Sequence, residues 1–290
     1  MPPWKQLLLH LYYAGSYPLR SLRRRAAQLE GRLPIVVIYY HRVADDAATP
    51  WTVSNRTFAR QIRWLRDHFH LISLDEVCRL VAAGENHRPS VCITFDDGYA
   101  ENCHRAIPLL VKERIPCTYF VTTRNVLEQV PFPHDVARGL ECPPNTIEQL
   151  RVMAEGGIEI GGHTYTHADL GKLTDAAQLR YELTAARVDL EDALDRPVRH
   201  FAFPYGQHGN LSRQSFRAAR EAGYTCVCSA YGGVNFPGGD PFHIQRVPVD
   251  RWSIRLKNYV TLDPRKVCVP RFEYDTPVSD AGRPAAAGVE

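Results

Sequence analysis

The chain has 290 residues, 44% of them hydrophobic, enough to bury a substantial core in one large α/β domain or in two smaller ones. A formal charge of +3 is too small to argue for a nucleic-acid partner, and no segment is long and apolar enough to span a bilayer. The eight cysteines include no Cys-x2-Cys pair, so they read as small core residues in a reducing compartment rather than as a disulfide framework.

In chain order, Lys5 precedes an apolar run at 7–15 that has the outline of a signal peptide but is short and interrupted by His10. Arg20, Arg23, Arg24 and Arg25 follow at helical spacing, so 18–30 reads as a basic amphipathic helix, either resting against anionic lipid or solvated. Residues 1–33 are therefore set apart as a basic helical segment. They make a cytoplasmic or peripheral-membrane location the first expectation and the cell envelope the second. Residues 35–40 are β-branched and aromatic, hence a strand, and Phe58, Ile62, Leu65 and Phe69 then recur at helical spacing. Further strands are expected at 90–95, 117–121, 158–161, 199–203, 225–229 and 244–249, with helices at 100–113, 146–155, 175–194 and 211–222. Strands alternating with helices imply a parallel sheet. Beyond 268 the chain loses its core pattern, and 269–290 is expected to be a disordered tail.

Chemistry concentrates where apolar runs stop. Val91-Cys92-Ile93 leads into Thr94-Phe95-Asp96-Asp97-Gly98-Tyr99, two adjacent carboxylates that can serve one site only if the chain bends as it leaves the strand, which Gly98 permits. Alone this is as good a polar turn as a site. A second cluster, His163-Thr164-Tyr165-Thr166-His167, follows Gly161-Gly162; histidines four apart share one side of a helical turn and can grip one metal ion. Two imidazoles and a carboxylate form a common catalytic set that leaves a position for water. A third segment, Phe201-Ala202-Phe203-Pro204-Tyr205-Gly206, is an apolar strand ending in a rigid turn.

In this order and separation the three segments resemble the first motifs of the polysaccharide deacetylase family, the NodB-homology carbohydrate esterases. The likeness covers roughly 88–250, with the preceding strand and helix completing one main domain over 34–268. It implies an α/β fold, a distorted (β/α) barrel, and a hydrolase that removes acetyl groups, most readily N-acetyl, from an amino-sugar glycan. It also implies a divalent metal, zinc first, with cobalt or nickel as alternatives. Carried over by position, Asp97, His163 and His167 are the metal ligands, Asp96 is the general base, and the backbone N–H of Tyr205 is an oxyanion donor. In a barrel the chemistry sits on the loops after the strands, and all three motifs fall there, as does His41.

Two family features are missing. The arginine that opens the third motif is replaced by Ala202, and Arg246 on the strand expected at 244–249 is the candidate substitute for orienting Asp96. The late Leu-x-His motif has no copy. His41 is the candidate general acid and His208 the other contender, whereas His243 opens its strand and points to the wrong end. Tyr99, Tyr165, Tyr205 and Trp51 are candidate sugar platforms, and Phe132-Pro133-His134-Asp135 a candidate cleft wall. The expected partner is an acetylated glycan, with peripheral membrane contact through the N-terminal segment and no nucleic acid. Two other readings stay open: an amidohydrolase acting on a small non-sugar amide in a closed pocket, and a degenerate glycan-binding module without turnover.

Overall fold

The structure is a computed structural model that describes residues 2–274. A long helix, α1 (Pro3–Leu29), leads into β1 (Val36–Tyr40), the short parallel pair β2 (Arg42–Val43) and β3 (Thr52–Val53), and α2 (Asn55–His68). Then come β4 (His70–Ile72), α3 (Leu74–Ala83), β5 (Ser90–Phe95), α4 (Ala106–Lys112), β6 (Cys117–Val121), α5 (Thr123–Glu128) and α6 (Pro133–Val136). The remainder is α7 (Ile147–Glu155), β7 (Glu159–Gly162), α8 (Ala176–Leu194), β8 (His200–Ala202), α9 (Arg213–Glu221), β9 (Cys226–Ser229), β10 (His243–Pro248), α10 (Ser253–Val260) and α11 (Pro264–Val267).

All strand pairings are parallel, and β1 bonds to both β5 and β10, which closes β1, β5, β6, β7, β8, β9 and β10 into a barrel. The expected α/β barrel is the observed one. β4 lies outside this ring and pairs with the first half of β5, while β6 takes the second half. Parity explains the core. Val36, Ile38, Val91, Ile93 and Phe95 pack outward under the helices, whereas Val37, Cys92, Phe120, Ala202, Cys226, Cys228 and Ile244 fill the barrel interior. The eight cysteines are free, and most are buried.

Helix starts follow the local chemistry. Ser54, Ser73 and Thr146 accept from backbone N–H groups of the first turns of α2, α3 and α7, and Thr146 with Gln149 forms a capping box. The helix expected over 100–113 is divided instead, into a 3₁₀ turn at Ala100–Cys103 and α4. Pro108 has no N–H and fits only near the start of a helix, so α4 begins just before it. The basic helix expected from 18 starts earlier, at Pro3, and runs through Pro18 without a break. Its anchors are Arg20, which donates to the Asn258 carbonyl and side chain on α10 (3.1 and 2.9 Å), and Tyr12, which donates to Asp263 (3.0 Å). Of the tail expected from 269, residues 275–290 lie outside those described; Phe272 and Tyr274 stack on Phe216 of α9.

Candidate active site

Strand parity brings the first set of polar side chains together. Residues two apart share a face, so Thr94 and Asp96 follow Cys92 into the barrel, Tyr39 and His41 follow Val37, and Arg246 follows Ile244. There the guanidinium of Arg246, wholly buried, donates to both oxygens of Asp96 (2.6 and 2.9 Å), to Thr94 Oγ1 (3.0 Å) and to the Ser229 carbonyl (3.2 Å). Burial alone would lower the Arg246 pKa, but the Asp96 carboxylate beside it holds it above its ordinary value. The side chain that grips Asp96 thus comes from β10.

Asp97 is the next residue and by parity should face outward. Its backbone prevents this: φ is 76° at Asp97 and 95° at Gly98, so the reversal begins at the aspartate itself, one residue before the expected bend. A side chain at Gly98 would stand 3.0 Å from Val121 Cγ1 and would carry the strain of that φ, so glycine is required there. Asp97 Oδ1 then lies 3.5 Å from His163 Nε2 and 3.2 Å from His167 Nε2.

The two histidines do not sit on a helical turn as their spacing suggested. Residues 163–169 form an irregular loop in which Thr164 and His167 take left-handed φ values of 61° and 62°. Buried Glu182 of α8 shapes it, accepting from the N–H groups of Tyr165 (3.0 Å) and Thr166 (2.9 Å) and from the Thr166 hydroxyl (2.6 Å). The His163 ring is oriented by its Nδ1, 2.7 Å from the carbonyl of Ala202. A carbonyl only accepts, so Nδ1 carries the proton and Nε2 presents a lone pair toward Asp97. One ligand atom from each of Asp97, His163 and His167 lies within 4.8 Å of the others. Burial raises the Asp97 carboxyl, but the imidazoles of His163 and His167 beside it and the field of His41 outweigh this and hold the pKa well below the usual range. An ionised carboxylate and two imidazoles converging on one point form a candidate metal-binding triad.

A family model described as polysaccharide deacetylase matches residues 83–227, half of the chain. The chain belongs to the polysaccharide deacetylase family. It is 26% identical over 196 residues to YxkH of Bacillus subtilis (strain 168), and 31% identical over 118 residues to the chitooligosaccharide deacetylase of Bradyrhizobium sp. (strain ANU 289). These alignments cover 67% and 40% of this chain and only 62% and 46% of the two relatives. The fold matches that of the Streptococcus pyogenes deacetylase PplD, solved with acetate, at a TM-score of 0.67 and 19% identity over 79% of this chain and 99% of the other.

Around the family's motifs the walls of a cleft of about 290 Å³ are now defined. His41 and Tyr39 line one side. Tyr205 is 57% exposed, has a φ of 61°, and lays its ring 5.2 Å from that of His167. Its backbone N–H takes no hydrogen bond among the described residues. The turn is held because Ala230 N–H donates to the Gly206 carbonyl (2.8 Å); a Cβ at Gly206 would meet Ala230 N at 2.7 Å.

Trp51, His134 and Arg138 form the opposite wall, so the segment at 132–135 does shape the cleft. Arg138 belongs to no motif in the sequence and is not among the expected site residues, and His134 is expected there only as part of a cleft wall. Tyr99 is buried beneath His134, donating to Asp135 (2.8 Å), and Tyr165 pairs with Tyr181. Neither lines the cleft, so of the four aromatic candidates only Trp51 and Tyr205 are cleft walls. His208 stacks on Tyr231 away from the cleft, and His243 packs against Phe216 with its Nε2 2.9 Å from Ser229 Oγ. Tyr40 and Arg42 also face elsewhere, toward Gln61 and Glu101.

Proposed function

We propose that this protein is a metal-dependent hydrolase that removes N-acetyl groups from an amino-sugar glycan. The observation that carries the reading is the coexistence, in one cleft, of the Asp97–His163–His167 triad with an adjacent aspartate clamped by arginine. The triad holds a divalent cation, with zinc ahead of cobalt or nickel for a set of two imidazoles and a carboxylate. When bound, such a cation polarises a carbonyl and lowers the pKa of water in contact with it.

The chain's own groups do the rest. Asp96, kept ionised and oriented by Arg246, takes the proton of the attacking water as the new C–O bond forms. The Tyr205 N–H donates to the carbonyl oxygen on which negative charge develops. As the C–N bond breaks, His41 delivers a proton to the departing amine and acetate is released. An open cleft walled by Trp51 and Tyr205 suits the faces of a sugar ring better than a closed pocket for a small amide would. The chitooligosaccharide deacetylase among the relatives supports the same substrate class.

Acetate release from a panel of N-acetylated oligosaccharides, with zinc, cobalt or nickel added, tests this. Asp96→Asn is expected to abolish turnover with metal still bound, and His163→Ala to lose the metal. Equal release by wild type and Asp96→Asn refutes the role of Asp96; purified wild type that binds no divalent metal refutes the mechanism.

A further inference from the structure

The outer face of α1 is apolar and uncovered. Trp4, Leu7, Leu8, Leu11 and Leu22 are each more than half exposed, and at 100° per residue they fall on one side of the helix. The opposite side, carrying Arg20, is docked on α10, and Tyr12 at its edge donates to Asp263 at the start of α11. Residues 3–29 include Lys5, Arg20, Arg23, Arg24 and Arg25 and no carboxylate, and Arg23 and Arg25 make no ion pair among the described residues. Helical geometry sets Lys5 and Arg23 along one flank of the apolar stripe.

On the other flank, where Gln6 and His10 project, lies a cavity of about 450 Å³ between α1, α2 and α10. Arg60, Arg251 and Lys257 line it with Trp64 and Trp252, and among the described residues no carboxylate lines it. Lys257 Nζ sits 5.0 Å above the Trp64 ring, and the Ser253 hydroxyl at the start of α10 is buried without a partner. Three cations and an unpartnered donor are complementary to a phosphate group.

We infer that α1 lies on an anionic lipid surface, its stripe entering the apolar boundary while a lipid headgroup phosphate occupies the cavity beside it. No helix among the described residues is long and apolar enough to cross a membrane, so the contact is one of lying on the surface. Tryptophan and leucine bury into the boundary while flanking cations meet the negative headgroups. The inference goes beyond the deacetylase reading and does not depend on it.

Flotation of the purified chain with vesicles of phosphatidylcholine alone, or with phosphatidylglycerol added, tests it without any reference to acetate release. Wild type is expected to bind the phosphatidylglycerol vesicles at least roughly tenfold more tightly than the neutral ones, with the difference shrinking at high salt. Leu8→Glu with Leu11→Glu is expected to abolish binding to both. Arg60→Gln, Arg251→Gln and Lys257→Gln together are expected to remove the preference for phosphatidylglycerol. Circular dichroism melting curves check that both variants are folded. Wild type that does not float overturns the inference, as does floating by both folded variants at the wild-type level. So does light scattering that shows a wild-type dimer made monomeric by Leu8→Glu and Leu11→Glu when neither protein binds vesicles, since the stripe then covers a second copy of this chain.

Discussion

Arg246 grips both carboxylate oxygens of Asp96, at 2.6 and 2.9 Å, from a position 150 residues away in the chain. A guanidinium fork on a carboxylate fixes its plane as well as its charge, and each oxygen keeps another lone pair for a water. Arg246→Lys retains the charge but loses the fork. Its kcat is expected to fall by about 10²-fold, as misplacement of a reacting group does, with metal content unchanged. Arg246→Met strands a buried carboxylate and is expected to cost about 3–5 kcal/mol in urea denaturation. Adding Asp96→Asn to it should restore part of that stability. Full turnover by Arg246→Lys would remove the fork from the mechanism.

For the proton that the proposed reaction gives to the leaving amine, two histidines besides His163 and His167 line the cleft, His41 at the end of β1 and His134 on α6. His134 is lowered in pKa by burial and has Nε2 3.2 Å from the Tyr99 hydroxyl, so it is tied into the wall. His41→Ala is therefore expected to lower kcat by about 10²-fold or more, the usual contribution of a positioned acid, and His134→Ala mainly to raise KM. Steady-state kinetics on one oligosaccharide series decides between them; an unchanged kcat in His41→Ala transfers the role elsewhere.

Glu182 touches neither the candidate metal triad nor the cleft, yet its carboxylate accepts three hydrogen bonds from Tyr165 and Thr166, between His163 and His167. Glu182→Ala leaves the Thr166 N–H and hydroxyl unpaired, and of the three donors only the Tyr165 N–H keeps a partner, the backbone carbonyl of residue 182 (3.0 Å). Zinc affinity, read by isothermal titration calorimetry, is expected to fall by roughly 10–100-fold, the range found when supports of metal ligands are removed. Wild-type affinity in this variant would show that the loop holds its shape by other means.

At the opposite end of the barrel, buried His200 bridges Asp75 (3.2 Å) and Glu159 (3.0 Å). Burial pushes its pKa down, but the two carboxylates outweigh this and raise it from 6.5 to about 10. A raised folded value means that the protonated ring stabilises the native state: the contribution is complete below pH 6.5 and disappears as pH climbs through about 10. The unfolding free energy from urea titrations is expected to decline over that window by at most about 1.4 kcal/mol per pH unit from this group. In His200→Gln the decline should flatten; an identical profile would assign the pH dependence to other groups.

Much of the fold was legible because its signals are local. The strands at 90–95 and 117–121 coincide with β5 and β6, since short apolar runs bounded by turn residues are read over a few positions. Others were missed for equally local reasons. β4 is three residues long, and α10 has only eight, too few for a period to stand out. Likewise the spacing of His163 and His167 was read as a helical turn, whereas loop residues with left-handed backbones bring the rings together.

The sequence by itself determined the chemical inventory: adjacent aspartates at a strand end, two histidines after a glycine pair, and the alternation that makes a parallel barrel. These depend on residue type and on periods of two or about 3.6, which act within a few positions. Only the tertiary structure decided which groups meet. Closure of β1 onto β5 and β10 places Arg246 beside Asp96, the carbonyl of Ala202 orients the His163 ring, and Glu182 reaches back from α8. Those contacts are set by strand register and helix packing, which no short stretch of sequence encodes.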